Sequence, residues 1–173
     1  MGGKIFAQGA GADPSMTNNG GLTASRLALR SNHPEIATLI ESWRSGKGFM
    51  YAIEHNDLEG VQNALSSGAD PGRYYRLSDG SMTTPLYEAI IHTDSEEVVE
   101  VLLSKGADPN TRVNGYYPLY QAASRGETQV VQDLLNHGAN PSSRSKNGST
   151  ALDAAKANGH DDIVQLLRSS TGP

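Results

Sequence analysis

No cysteine occurs among the 173 residues, which excludes disulfide staples, thiol catalysis and thiolate metal sites and suits a reducing compartment. Basic charge is also in deficit. Fourteen Lys and Arg stand against 19 Asp and Glu, a formal charge of -5 with a pI near 5.5. That balance argues against a general nucleic-acid or anionic-membrane binder, because no basic surplus stands behind phosphate attraction. Long apolar runs are missing, so no segment approaches a membrane span. Met1 to Ala12 holds only Ile5 and Phe6 as large apolar residues, which leaves no signal-peptide core. Gly2 follows Met1, but Phe6 stands where a myristoylation motif needs Ser or Thr. The expectation is a soluble, monomeric, intracellular chain, cytoplasmic with the nucleus left open, and no nucleic-acid or membrane partner.

What is present repeats. Gly-Ala-Asp-Pro occurs at residues 11–14, 68–71 and 106–109, and Gly-Ala-Asn-Pro at 138–141. Between these strings lie Thr84-Pro-Leu-Tyr-Glu-Ala89, Tyr117-Pro-Leu-Tyr-Gln-Ala122 and Thr150-Ala-Leu-Asp-Ala-Ala155, with Thr23-Ala-Ser-Arg-Leu-Ala28 as a worn version. The last alanines of these segments, together with Ala52, fall at 28, 52, 89, 122 and 155, giving spacings of 24, 37, 33 and 33. A fixed period of this size is the signature of a repeat architecture.

Each segment has a local physical reading. Thr84 and Thr150 suit an N-cap, and Pro85 and Pro118 suit the first helical position, where the missing N–H costs nothing. A short helix starts there. Asn32, Asn56, Gly126 and Gly159 then share one register and tolerate a left-handed C-cap. Beyond them come Ile36–Ile40, Val61–Leu65, Val98–Leu103, Val130–Leu135 and Ile163–Leu167, apolar at helical spacing. A second helix follows, and the Gly-Ala-Asp-Pro string stops it.

Turn, helix, tight turn and helix at a 33-residue period, with a Thr-Pro-Leu-His-like opening, resembles the ankyrin-repeat family over about residues 11–168. The resemblance implies an all-α solenoid of stacked helix pairs with short β-hairpin fingers and a concave face made by fingers and first helices. Its units would be about 11–44, 45–67, 68–105, 106–137 and 138–170, between a flexible end at 1–10 and a tail at 171–173. Three departures stand out. No finger separates the first two units, where Trp43 and Phe49 flank the joint and could seal it. The finger after Pro71 is about four residues longer than the one after Gly138, and the turn at His92–Glu96 is one residue longer and lacks Gly. Residues 1–44 fit either one continuous array or the end of one array abutting another. Lys156, Asn158, Asp161, Asp162, Gln165 and Arg168 polarise the last pair, as a terminal repeat requires.

Catalytic and metal chemistry find little support. His33 and His160 match the family's turn histidine, and His137 sits at a second-helix end, where positive charge is favoured. His55 and His92 fall on the implied concave face and are read as having no paired carboxylate or second ligand. No nucleophile elbow or phosphate-cradling loop occurs. The acidic run Asp94, Glu96, Glu97 and Glu100 reads as the solvated start of a helix. The expectation is no enzyme, no metal and no cofactor.

Recognition remains. Seven Tyr against two Phe is a skewed count, and Tyr carries apolar area with a polar tip into interfaces. Tyr87, Tyr117 and Tyr120 occupy motif positions where they could equally be structural. Tyr74, Tyr75 and Tyr116 fall on fingers, with Arg73 and Arg76 flanking the first pair and Arg112 opening the next finger. Those six residues, with His55, His92 and Arg125, form the expected partner-binding set, suited to another protein presenting an acidic or extended segment. The alternative is a structural or targeting arm of a larger protein whose activity lies elsewhere. The spacing of Leu102, Asp108 and Asn110 also resembles the family's asparagine-hydroxylation pattern, with Pro109 in place of the usual aliphatic residue, which makes Asn110 a modification candidate.

Overall fold

A computed structural model describes residues 18, 20–34, 36–37, 47–77, 79–92 and 96–170. Expectations resting on residues 1–17, on Trp43, on the turn at 93–95 and on the tail at 171–173 lie outside the described residues. The helices are α1 (Ala24–Arg30), α2 (Lys47–Glu54), α3 (Leu58–Ser66), α4 (Pro85–His92), α5 (Glu96–Ser104), α6 (Pro118–Arg125), α7 (Thr128–Asn136), α8 (Ala151–Asn158) and α9 (Asp161–Ser170). Two short strands, β1 (Tyr75–Arg76) and β2 (Met82–Thr83), pair antiparallel. The described residues divide into two compact units, one drawn from residues up to Ala52 with Asp57–Asp70, the other Ile53–Asn56 with Pro71 onward.

In the first unit the worn opening segment works. Thr23 caps α1 by accepting the Arg26 N–H, and Asn32 ends the turn with φ +61°. Asp57 caps α3 by accepting the Gly60 N–H at 2.9 Å. Glycine is required at position 60 because a Cβ there would lie 2.8 Å from the Asp57 carboxyl carbon and 3.0 Å from the Ala52 Cβ. Phe49, Ala52, Val61 and Ala64 are buried, so α2 and α3 each turn one apolar face inward.

In the second unit α4, α6 and α8 pack side by side in one layer, and α5, α7 and α9 in another, with each first helix against its own second helix. The small residues Ala89, Ala122, Ala123 and Ala155 are fully buried, which lets neighbouring backbones approach closely. Leu86, Ile90, Val98, Leu102, Leu134, Ile163 and Leu167 fill the space between the layers. The starts are as expected. Thr84 accepts the Tyr87 N–H at 3.3 Å, and Thr150 and Asp153 form a reciprocal capping box. Tyr117, which replaces the capping Thr before α6, makes no side-chain cap bond. Gly126 and Gly159 take φ +83° and +75°. The six polar residues named for the last helix pair are all exposed.

Candidate functional surface

The finger at 69–83 is the one that forms a paired two-strand hairpin among the described residues. Its register pairs Tyr75 with Thr83 and Arg76 with Met82. Side chains alternate across a strand, so Tyr75 shares a face with Thr83, which is buried. Tyr74, Arg76 and Met82 share the other face, with Tyr74 44% and Met82 40% exposed. The tip turns at Gly80, φ +88°, and Asp79 accepts both the Ser81 N–H (2.8 Å) and its hydroxyl (2.7 Å). Those bonds hold the Asp79 carboxyl below its ordinary pKa.

The next finger is tighter. Val113 and Tyr116 exchange both backbone hydrogen bonds at 2.9 Å around Asn114 and Gly115, each at positive φ (52° and 89°). An Asn-Gly pair suits such a two-residue turn. Links run between fingers as well. The Tyr74 hydroxyl donates to the Arg112 carbonyl at 3.0 Å. Asn110 donates through Nδ2 to the Gly138 carbonyl (2.9 Å) and accepts the Asn140 N–H through Oδ1 (2.8 Å). The Lys146 N–H donates to the Gly115 carbonyl at 2.7 Å.

Cations lie over rings along this row. The Arg73 guanidinium is 5.9 Å from the Tyr75 centroid, Arg112 is 5.7 Å from Tyr117, and Lys146 Nζ is 4.9 Å from Tyr116. Tyr116 also sits 5.2 Å from Tyr120 at 37°. These separations fall inside the range of cation–π attraction. Tyr116 is therefore a half-buried member of a stack, held between Lys146 and Tyr120.

Several expected residues sit differently. His92 does have a carboxylate: Nε2 lies 3.2 Å from Oε2 of Glu88, one turn earlier on α4, with His92 53% and Glu88 2% exposed. The sequence reading of an unpaired His92 is corrected on this point, since i−4 was the available position. Arg125 is engaged by Glu127 through Nε and Oε1. His55 is exposed after the end of α2. His160 bonds to the carbonyl of Ser124 in the preceding repeat (3.2 Å), while His137 Nδ1 meets the Asp133 carbonyl at the end of α7 (2.9 Å). Tyr87 is buried. Burial, with Glu88 alongside, pushes its pKa to about 12. Met82 and Lys146 were absent from the sequence-derived set. Met82 was findable from hairpin parity with Arg76, whereas Lys146 depends on how one finger stacks on the next.

The family model described as "Ankyrin repeats (3 copies)" matches residues 86–172. Cyclin-dependent kinase 4 inhibitor B of Bos taurus is 29% identical over 123 residues, 70% of this chain and 89% of that protein. The alpha-latrocrustotoxin of Latrodectus tredecimguttatus is 34% identical over 51% of this chain, a stretch that makes up 6% of the toxin. A protein of Oryza sativa subsp. japonica named as a probable E3 ubiquitin-protein ligase is 34% identical over 66% of this chain and 22% of its own length.

Proposed function

Because this chain belongs to the ankyrin-repeat family, we propose that it is a non-catalytic module that binds another protein through the face built from its fingers and first helices. The observation that carries this reading is the outward side of the long hairpin, where Tyr74, Arg76 and Met82 are exposed together. Tyr, Arg and Met are enriched in interface centres, and large exposed side chains grouped on one face mark contact rather than packing. Hairpin length supports it too. Extra loop residues cost only slowly growing closure entropy, so the insertion persists without a folding role. One relative is named for inhibiting a kinase, an action on another protein.

The test is affinity capture with the intact chain, comparing the natural sequence, a Tyr74→Ala/Met82→Ala variant and a Gln165→Ala variant on the outer face of the last helix. Partners retained by Gln165→Ala and lost from the hairpin variant support the reading. Identical capture by all three refutes it. A second reading, that the same module serves as an arm of a larger protein, is favoured by the toxin relative, of which the matched stretch is 6%. Extending the coding frame on both sides distinguishes the two.

A further inference from the structure

Arg73, Arg112 and Lys146 have an unusual property in an acidic chain. Acidic residues outnumber basic ones by 19 to 14, yet none of these three exposed cations is paired with a carboxylate among the described residues. Each lies instead over a tyrosine ring, at 5.9, 5.7 and 4.9 Å. Arg125, by contrast, is consumed by Glu127. A ring face holds a cation near one position without neutralising it, because the quadrupole attracts the charge and leaves its N–H donors free for an incoming acceptor. The last finger strengthens the polarity: residues 139–150 carry Arg144 and Lys146 and no acidic residue.

We propose that these three ring-supported cations form a reader for carboxylates spaced along an extended protein segment, with Tyr75, Tyr116 and Tyr117 acting as supports. The proposal deepens the reading above and rests on it. It assigns contact to the cations where the sequence alone pointed to the rings. The three come from successive fingers, and adjacent packed helices lie about 8–10 Å apart. An extended chain in the polyproline II conformation rises about 3.1 Å per residue with three residues per turn, so about three residues span one repeat and every third side chain returns to the same face. A matching ligand carries an acidic residue at every third position. A nucleic-acid strand is disfavoured because the chain as a whole carries -5 and repels a polyanion beyond the contacted row.

The experiment is an NMR titration of the full chain with three probes: a twelve-residue peptide of repeating Gly-Ser-Glu, the same peptide with Gln for Glu, and a twelve-residue oligothymidine. The expected result is saturable shifts at Arg73, Arg112 and Lys146 with the Glu peptide, weakening as salt is raised, and at least tenfold weaker response with the other two. An Arg73→Gln/Arg112→Gln/Lys146→Gln variant should lose the Glu-peptide response at an unchanged melting temperature. Tyr116→Phe/Tyr117→Phe keeps the ring faces and should bind as the natural chain does. Tyr116→Leu/Tyr117→Leu should bind three- to tenfold more weakly. Loss with the Phe pair would make the hydroxyls the contacts and overturn the proposal without any question of folding. Equal shifts from Glu and Gln peptides would overturn it while sparing the broader reading. Absence of shifts on the fingers with either peptide would count against both, and tighter binding of the oligonucleotide would replace the carboxylate reader with a phosphate one.

Discussion

Replacing Gly126 by alanine probes the joint between two repeats. Gly126 closes α6 at φ +83°, and a Cβ there would lie 2.6 Å from Cε1 and 2.8 Å from Nδ1 of His160. Two costs follow. The left-handed backbone costs an alanine about 1–2 kcal/mol, and the His160 ring has to leave, breaking its 3.2 Å bond to the Ser124 carbonyl at about 0.5–1.5 kcal/mol. The total is about 1.5–3.5 kcal/mol. Gly159 provides the control, since it takes the same conformation at φ +75° with no heavy atom within 4 Å of its added Cβ, so only the backbone term of about 1–2 kcal/mol applies. Urea unfolding measures the difference. With a slope of about 2 kcal/mol per molar, Gly126→Ala should lower the midpoint by about 1 M or more and Gly159→Ala by clearly less. In a His160→Ala background the two glycine substitutions should become equal, a coupling read by the double-mutant cycle. Equal midpoint shifts in the natural background would refute the claim that His160 joins the repeats.

Ala122→Glu buries an unpaired carboxylate at a fully enclosed position and should cost several kcal/mol, while Gln165→Glu on the exposed outer face should leave the melting temperature within a degree or two. Ser124→Glu belongs between them, because Ser124 accepts a bond from Asn158 Nδ2 at 3.3 Å and lies at the repeat contact. Asp153 should lose its stabilising role on acidification. Its bonds from the Thr150 backbone and hydroxyl hold its pKa below the ordinary value, so the contribution is present above the unfolded pKa near 3.8 and disappears as pH falls through the folded one. The stability gap between the natural chain and Asp153→Asn at pH 7 should therefore close in strong acid. Tyr87, with its pKa raised from 10.0 to about 12, should make stability decline between pH 10 and 12, because the unfolded chain releases that proton first, and Tyr87→Phe should remove its share of the decline.

The caps were legible because their chemistry is local. Asn32, Asn56, Gly126 and Gly159 sit at positive φ, all four anticipated from one register of residues that tolerate it. Thr84, Thr150, Pro85 and Pro118 mark helix starts for the same reason. The surface was less legible. Which of two adjacent tyrosines faces outward depends on hairpin register, and a shift of one residue exchanges Tyr74 for Tyr75. The placements of Lys146 over Tyr116 and of His160 against Ser124 depend on distances between repeats that no single repeat encodes. Glu88 carries no local signal that sets it apart in the sequence, and it is buried beside His92.

Three links between repeats share an asymmetry. Tyr74, Asn110 and His160 each reach across to a neighbour's peptide carbonyl, those of Arg112, Gly138 and Ser124. A peptide carbonyl is supplied by every amino acid, so at these three bonds the receiving repeat contributes backbone, its one sequence demand being that Gly126 carry no Cβ under the His160 ring. Each of these three bonds is thus a plug of defined chemistry set against a nearly generic socket. Gene duplication or recombination that lengthens such an array can set a new unit against an old one without rewriting both sides, and the surface beyond the sockets is left free to diverge toward whatever it must bind.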